Sequence, residues 1–167
     1  MPSRSMADAR ADANKAAIER FYSAFKSRDA ATMAASYAPG ATFSDPAFPG
    51  LVQPQVSAMW TMLLSNEAKV WDFDFSDVQA TESTGSAKWT ATYLFGPDQR
   101  KVVNHVTSFF TFNEAGLITA QRDSFDFWAW SSQALGLTGR LLGWSSFLSN
   151  QVQKNARSRL DAWMAKH

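Results

Sequence analysis

Along the first third of the chain the apolar positions recur with a helical period. Ile18, Phe21, Tyr22 and Phe25 fall at i, i+3, i+4 and i+7 behind an Ala-rich stretch that favours helix, so a first helix ends near Ser27. Asp29 is placed to cap a second short helix over Ala30 to Tyr37, with Pro39-Gly40 as its stop. A brief extended piece, Ala41 to Ser44, leads into Asp45-Pro46 and Pro49-Gly50, which punctuate a turn-rich loop. After Pro54 a third helix, about Gln55 to Leu64, carries Val56, Met59, Trp60 and Leu63 on one side.

From Lys69 the period changes to two. Trp71, Phe73 and Phe75 alternate with Asp72, Asp74 and Ser76, which predicts a strand with one apolar and one polar face. Lys88 to Phe95 is rich in Trp, Thr and Tyr and ends at the turn Gly96-Pro97-Asp98-Gln99. Arg100 to Phe112 reads as a long strand, turned by Asn113-Glu114-Ala115-Gly116 into a further strand over Leu117 to Phe125. Beyond Asp126 the period is helical again: Phe127 to Leu135, a break at Gly136, and after Gly143 a longer helix bearing Leu148, Val152, Ala156, Leu160, Trp163 and Met164. Helices followed by a meander of three or four antiparallel strands predict an α+β fold with the helices on one sheet face. The absence of repeats, low-complexity runs and linkers predicts one domain, with a core over about 12–127 and a C-terminal helical extension over about 128–167.

Composition narrows the chemistry. The length of 167 residues is enough for a sizeable core without staples. Sixteen Lys+Arg against fifteen Asp+Glu give no field for a nucleic-acid backbone. The lack of cysteine removes disulfides, thiol nucleophiles and thiolate metal sites, and the two histidines, His105 and His167, are too few for a multi-histidine metal site. No glycine loop for phosphates and no nucleotide fingerprint appears, so no cofactor is implied. The N-terminal segment has Arg4 and Arg10 but no apolar signal core, and the longest apolar stretch, Ala134 to Leu148, is too short to span a bilayer and contains Arg140; the expectation is a cytoplasmic protein. What remains unusual is bulk: 13 Phe, 7 Trp and 3 Tyr exceed what a core of this size needs, and point to an apolar ligand.

Three stretches, Arg20 to Asp45 (RFYSAFKSRDAATMAASYAPGATFSD), Val102 to Ile118 (VVNHVTSFFTFNEAGLI) and Thr119 to Asp126 (TAQRDSFD), together resemble the nuclear transport factor 2-like, or SnoaL-like, superfamily, which includes ketosteroid isomerase, limonene epoxide hydrolase and polyketide cyclases. The resemblance implies a cone-shaped, curved antiparallel sheet wrapped by N-terminal helices, with a deep apolar pocket for a hydrophobic small molecule, and a homodimer. Matched to the isomerases through Ala-Thr-x-x-Asp-Pro, Asp45 falls on the general base, while the two oxyanion-stabilising positions fall on Phe21 and Ser108, which argues against steroid isomerisation. Tyr22 lies one position along the helix, about 100° around it, and is set aside as a substitute. Matched to the epoxide hydrolases through Arg-Asp-x-Phe-Asp, Asp123 falls on a catalytic aspartate; the neighbouring arginine and second aspartate correspond to Trp89 and Ala91, and the water-holding tyrosine and asparagine to Phe43 and Asp45.

The alternation of a strand puts Asn104, Val106, Ser108 and Phe110 on one face, and Gln121, Asp123 and Phe125 on one face. On the matched positions these faces look into the cone, joined by Trp89, Tyr93, Phe21 and Phe43. Asp123 and Asp45 are then the candidate catalytic pair, with Asn104, Ser108 and Gln121 orienting the substrate, because desolvation raises a carboxyl pKa toward the range useful for proton transfer. The expected chemistry is isomerisation, hydration or epoxide opening; the alternative is a non-catalytic binder of an apolar ligand. Asp45 before Pro46 is equally an ordinary turn residue, and Asp123 could be paired structurally with an arginine. His105 has the opposite parity to Ser108 and reads as structural. In the tail, Trp128, Trp130, Leu141, Leu142, Trp144 and Phe147 beside Arg140, Lys154 and Arg157 allow an interfacial membrane helix, but a stripe docked over the pocket or against a dimer mate is preferred. Gly139 and Gly143 have a spacing that permits close approach of another helix.

Overall fold

The computed structural model describes residues 5–65 and 69–167; residues 1–4 of the N-terminal segment and the side chain of Trp71 lie outside the described residues. Helix α1 (Met6–Lys26) starts where the Ser5 side chain accepts the Asp8 N–H, and its apolar stripe, Ile18, Phe21, Tyr22 and Phe25, is buried throughout. Asp29 caps α2 (Ala30–Ala35) by accepting the Thr32 N–H.

That helix is shorter than its sequence suggests. Strand β1 (Tyr37–Ser44) begins where α2 was expected to continue, and Pro39-Gly40 lies inside the strand rather than stopping a helix. The register explains how a proline is tolerated: between the pairs Tyr37↔Ile118 and Thr42↔Ala120 the ladder shifts, so five steps along β1 face two on its partner. Pro39, which has no N–H to give, and Gly40, at φ 73°, occupy this bulge.

β2 (Leu51–Val52), α3 (Gln55–Leu63), β3 (Lys69–Ala80), β4 (Thr84–Phe95), β5 (Arg100–Phe112), β6 (Ile118–Ser124), α4 (Phe127–Leu135), α5 (Leu137–Leu142) and α6 (Ser146–Lys166) follow. The six strands form one open sheet in the order β2-β1-β6-β5-β4-β3. All neighbours are antiparallel except β1 and β6, which run parallel, so the sheet is mixed and not purely antiparallel as the chain pattern suggested. Parallel pairing needs a long crossover, here the whole β2-to-β5 segment, and leaves no local signal in the sequence.

The alternation read from β5 holds: Val102, Asn104, Val106, Ser108, Phe110 and Phe112 are buried, while Lys101, His105, Phe109 and Thr111 are exposed. His105 meets Thr90 across the strands at 2.9 Å on that outer face. The inner face is covered by α1, α3 and α4, and α6 packs on α3 with its Leu160 fully buried in the same core. Rings fill that core in edge-to-face and stacked pairs, such as Phe21–Tyr22 at 5.0 Å and Phe25–Phe73 at 4.2 Å between centroids.

Candidate functional site

β6 and β5 are in register with Asp123 opposite Ser108 and Gln121 opposite Phe110, so two polar side chains of β6 and one of β5 meet on the inward face. Ser108 donates to Asp123 Oδ1 at 2.7 Å, and Gln121 Nε2 donates to the same oxygen at 3.0 Å. Behind Ser108, both Tyr22 (2.6 Å) and Trp89 Nε1 (2.9 Å) donate to its Oγ. Behind Gln121, the Tyr37 hydroxyl donates to Oε1 and itself accepts from Trp60 Nε1 at 2.8 Å. Two chains of donors thus end on one carboxylate oxygen. Asp123 is 3% exposed, and burial pushes its carboxyl up to about 7, against the lowering effect of the Ser108 and Gln121 bonds and with a further raise from the charge of Asp45. Burial first, then the Asp123 charge, raises Tyr22; for Tyr37 burial again dominates.

Asp45 stands where β1 ends. Its Oδ1 accepts the N–H groups of Ala47 (2.7 Å) and Phe48 (2.6 Å), closing a turn that carries the chain away from the sheet. Burial of its carboxyl pushes it up to about 6, opposed by those two amide bonds. Ser44 is opposite Arg122, so β6 runs on past the end of β1 and leaves a gap beside Asp123 and Ser124. This gap is an open cleft of about 360 Å³ lined by Ser44, Asp45, Pro46, Phe109, Arg122, Asp123 and Ser124. Arg122 lies over the Phe109 ring at 5.1 Å, on the outer face of the sheet. Both hydrogen bonds to Asp123 fall on Oδ1, and the residue forms part of the cleft lining.

The other expected site residues divide by position. Asn104 is buried on the same face of β5 but takes no part in the bonds to Asp123. Tyr93 accepts from Trp130 Nε1 at 2.8 Å and is pushed up to about 12, chiefly by burial, with Asp45 adding to the rise. Phe125 packs with Trp130 in a second, smaller cluster that includes Val102 and Ala134. Phe21, Phe43 and Phe110 are in the main core, where Phe21 and Phe43 both meet Trp60 and Phe110 meets Phe21 and Tyr22. The partners of Asp123 are a serine and a glutamine, not an arginine.

Sequence reasoning missed Tyr37 and Trp60, and set Tyr22 aside although its hydroxyl reaches Ser108. Their positions on apolar stripes were visible; the direction of a hydroxyl or indole N–H was not. Arg122 and Phe109 were also missed, because the cleft breaks through the sheet where β1 stops. Among the described residues no group of three or more His, Asp or Glu is placed to hold a metal ion.

The comparisons with known proteins agree with this architecture. A LEH-like epoxide hydrolase from M. tuberculosis superposes with a TM-score of 0.62 at 19% identity, covering 79% of this chain and 97% of that one. A steroid delta-isomerase from Pseudomonas aeruginosa gives 0.57 at 14% identity, covering 92% and 95%. An NTF2-like protein of unknown function from Burkholderia pseudomallei K96243 gives 0.54 at 15% identity, covering 68% and 91%. At these identities the likeness establishes the fold alone. No curated protein matches the chain in sequence. The family model for the SnoaL-like domain matches residues 18–121, from the α1 stripe to Gln121 of the donor network, and the chain belongs to the SnoaL-like family.

Proposed function

We propose that the protein is a small-molecule enzyme that moves protons with Asp123 and Asp45, acting on an apolar molecule that bears a carbonyl or epoxide oxygen. The observation that carries this reading is Asp123 itself: a carboxyl raised to about 7, held by two hydrogen bonds on one oxygen, in the lining of a cleft it shares with Asp45. A general acid or base works best with a pKa near the operating pH. Asp45 lines the same cleft, and burial raises its carboxyl to about 6. One proton shared by the pair serves both roles, with Asp123 donating to the substrate oxygen while Asp45 takes a proton from carbon or from water. Phe109 and Pro46 offer apolar contact, and Arg122 offers a charge to a developing oxyanion. The NTF2-like relatives include isomerases, epoxide hydrolases and cyclases, which is the range this acid/base pair serves.

A binding reading has one observation in its favour: two backbone amides already occupy Asp45 Oδ1, as in a structural turn. Two assays separate the readings, opening of styrene oxide in ¹⁸O-water and conjugation of a β,γ-unsaturated ketone followed by ultraviolet absorbance. Turnover in either, bell-shaped with limbs near pH 6 and 7 and reduced at least about 100-fold in Asp123→Asn, is expected from general acid/base catalysis. Saturable binding of such compounds with no turnover leaves the binder, and turnover untouched by Asp123→Asn and Asp45→Asn removes the two aspartates from the chemistry.

A further inference from the structure

The tail does not bury all of its apolar stripe. Trp130, Ala134, Leu148 and Leu160 dock inward, but Trp144 is 78%, Phe147 72%, Leu137 69% and Leu141 61% exposed, with Leu142 beside them. These side chains come from α5, the turn after it and the start of α6, all within residues 137–147. A cluster of this kind on a small protein marks an interaction surface.

The backbone beneath the cluster is unusual in a second way. The last four carbonyls of a helix have no partner within it and ordinarily face water. In α5 all four are taken up by the chain: Gly139 O accepts from Gly143 N at 2.8 Å, Arg140 O from Trp128 Nε1 at 3.1 Å, Leu141 O from Trp144 Nε1 at 2.8 Å, and Leu142 O from Ser145 N at 2.8 Å and its hydroxyl. The exposed indoles of Trp128 and Trp144 thereby spend their only donors inward and present hydrocarbon outward. A helix end with no backbone carbonyl left for water is suited to a medium that contains none.

Charge selects the medium. Residues 127–167 carry Arg140, Lys154, Arg157, Arg159 and Lys166 against the single acidic side chain Asp161, which pairs with Arg157 at 3.2 Å; the rest of the chain has an excess of three acids. Arg140 lies within the cluster, and Lys154 shares a face of α6 with Phe147 two turns away. A second copy meeting the patch about a twofold axis would set these cations against themselves, with no carboxylate between Asp126 and Asp161 to answer them. An anionic lipid surface supplies both the apolar zone and the counter-charge.

We propose that α5, the turn after it and the N-terminal half of α6 seat the protein on anionic bilayers, with Leu137, Leu141, Leu142, Trp144 and Phe147 in the acyl boundary and Arg140 and Lys154 at the headgroups. The seating is peripheral: among the described residues no helix is long and apolar enough to cross a membrane. It is independent of the chemistry at Asp123.

The test is sedimentation of the full chain with vesicles of phosphatidylcholine alone and of phosphatidylcholine mixed with phosphatidylglycerol, in low and high salt. Binding to the mixed vesicles is expected, about fivefold weaker for each of Arg140→Gln and Lys154→Gln, and at least about tenfold weaker in Leu141→Glu and Phe147→Glu. Circular dichroism and gel filtration establish that each variant keeps its fold, and both Glu substitutions lie on exposed positions. Failure of the wild type to bind either vesicle, or binding untouched by both Glu variants, overturns the proposal. So does analytical ultracentrifugation showing a dimer that Leu141→Glu dissociates, since the patch is then an interface between copies.

Discussion

Asp123 shows at the scale of one residue how a buried carboxyl strains the fold that holds it. An ionised carboxylate with 3% exposure and no cationic partner is costly, and two hydrogen bonds offset only part of that cost. Its carboxyl titrates at about 7 in the folded chain against 3.8 in an unfolded one. Between those values the folded state holds the extra proton, so stability falls as pH rises, by up to about 1.4 kcal/mol per pH unit, and the loss is complete above pH 7. Asn at the same position still accepts from Ser108 and Gln121 but cannot ionise. Urea unfolding from pH 4 to 8 is therefore expected to show Asp123→Asn gaining on the wild type as pH rises, with a residual slope from Asp45, whose folded value is about 6. Parallel curves would mean that Asp123 is solvated. Asp123, Ser108 and Gln121 were readable from strand parity, since every second residue of a half-buried strand faces the core. Tyr22, Tyr37 and Trp60 were not, because a pattern of apolar positions records which face a ring occupies and not where its polar atom points.

Single elements were most legible where a strong period ran uninterrupted. β5 and α4 have the bounds their patterns imply, whereas α2 gives way to β1 two residues before the expected end because the β1 bulge accepts Pro39-Gly40. The glycine spacing in α5 turned out to serve packing against α4. A Cβ on Gly139 would stand 1.8 Å from the Ser131 carbonyl oxygen, and one on Gly143 would stand 2.2 Å from the Ser131 hydroxyl and 2.4 Å from Gly139 O. Backbone cannot yield as a side chain does, so Gly139→Ala must push α5 off α4. A loss of about 2–3 kcal/mol or more in chemical denaturation is expected. Leu137→Ala, on an exposed position of the same helix, should stay within about 0.5 kcal/mol of the wild type. Equal effects would show that the α4–α5 contact is loose.

Across the whole molecule the tail is tied to the site as well as to the core. Residues 18–121 match the family model, yet Leu160, far outside that span, is fully buried in the core that α1 and α3 share, with Ala156 and Met164 packed against it. On the same helix Gln153 Nε2 donates to Pro46 O at 3.1 Å, which holds the turn carrying Asp45. α4 ties β5 at the same end of the sheet through Gln133, which donates to Val103 O and accepts Val103 N–H. None of these contacts could be read from the chain: α6 pairs with elements a hundred residues earlier, and only its apolar spacing was local. Two substitutions separate the roles. Leu160→Ala opens a cavity in a closed core and is expected to cost about 2–5 kcal/mol. Gln153→Leu removes one partly buried bond, costs about 1 kcal/mol, and frees the Pro46 carbonyl, so the turn loosens and water reaches Asp45. Since burial is what raises Asp45, its titration, followed by carboxyl ¹³C NMR, should move down from about 6 toward the ordinary carboxylate range in Gln153→Leu. Asp123 is held by Ser108 and Gln121 instead, and in the same spectra should stay near 7, shifting only by what it loses from a more hydrated Asp45. An Asp45 titration unchanged in that variant would place the control of the turn in its own amide bonds, from Ala47 and Phe48, and not in α6.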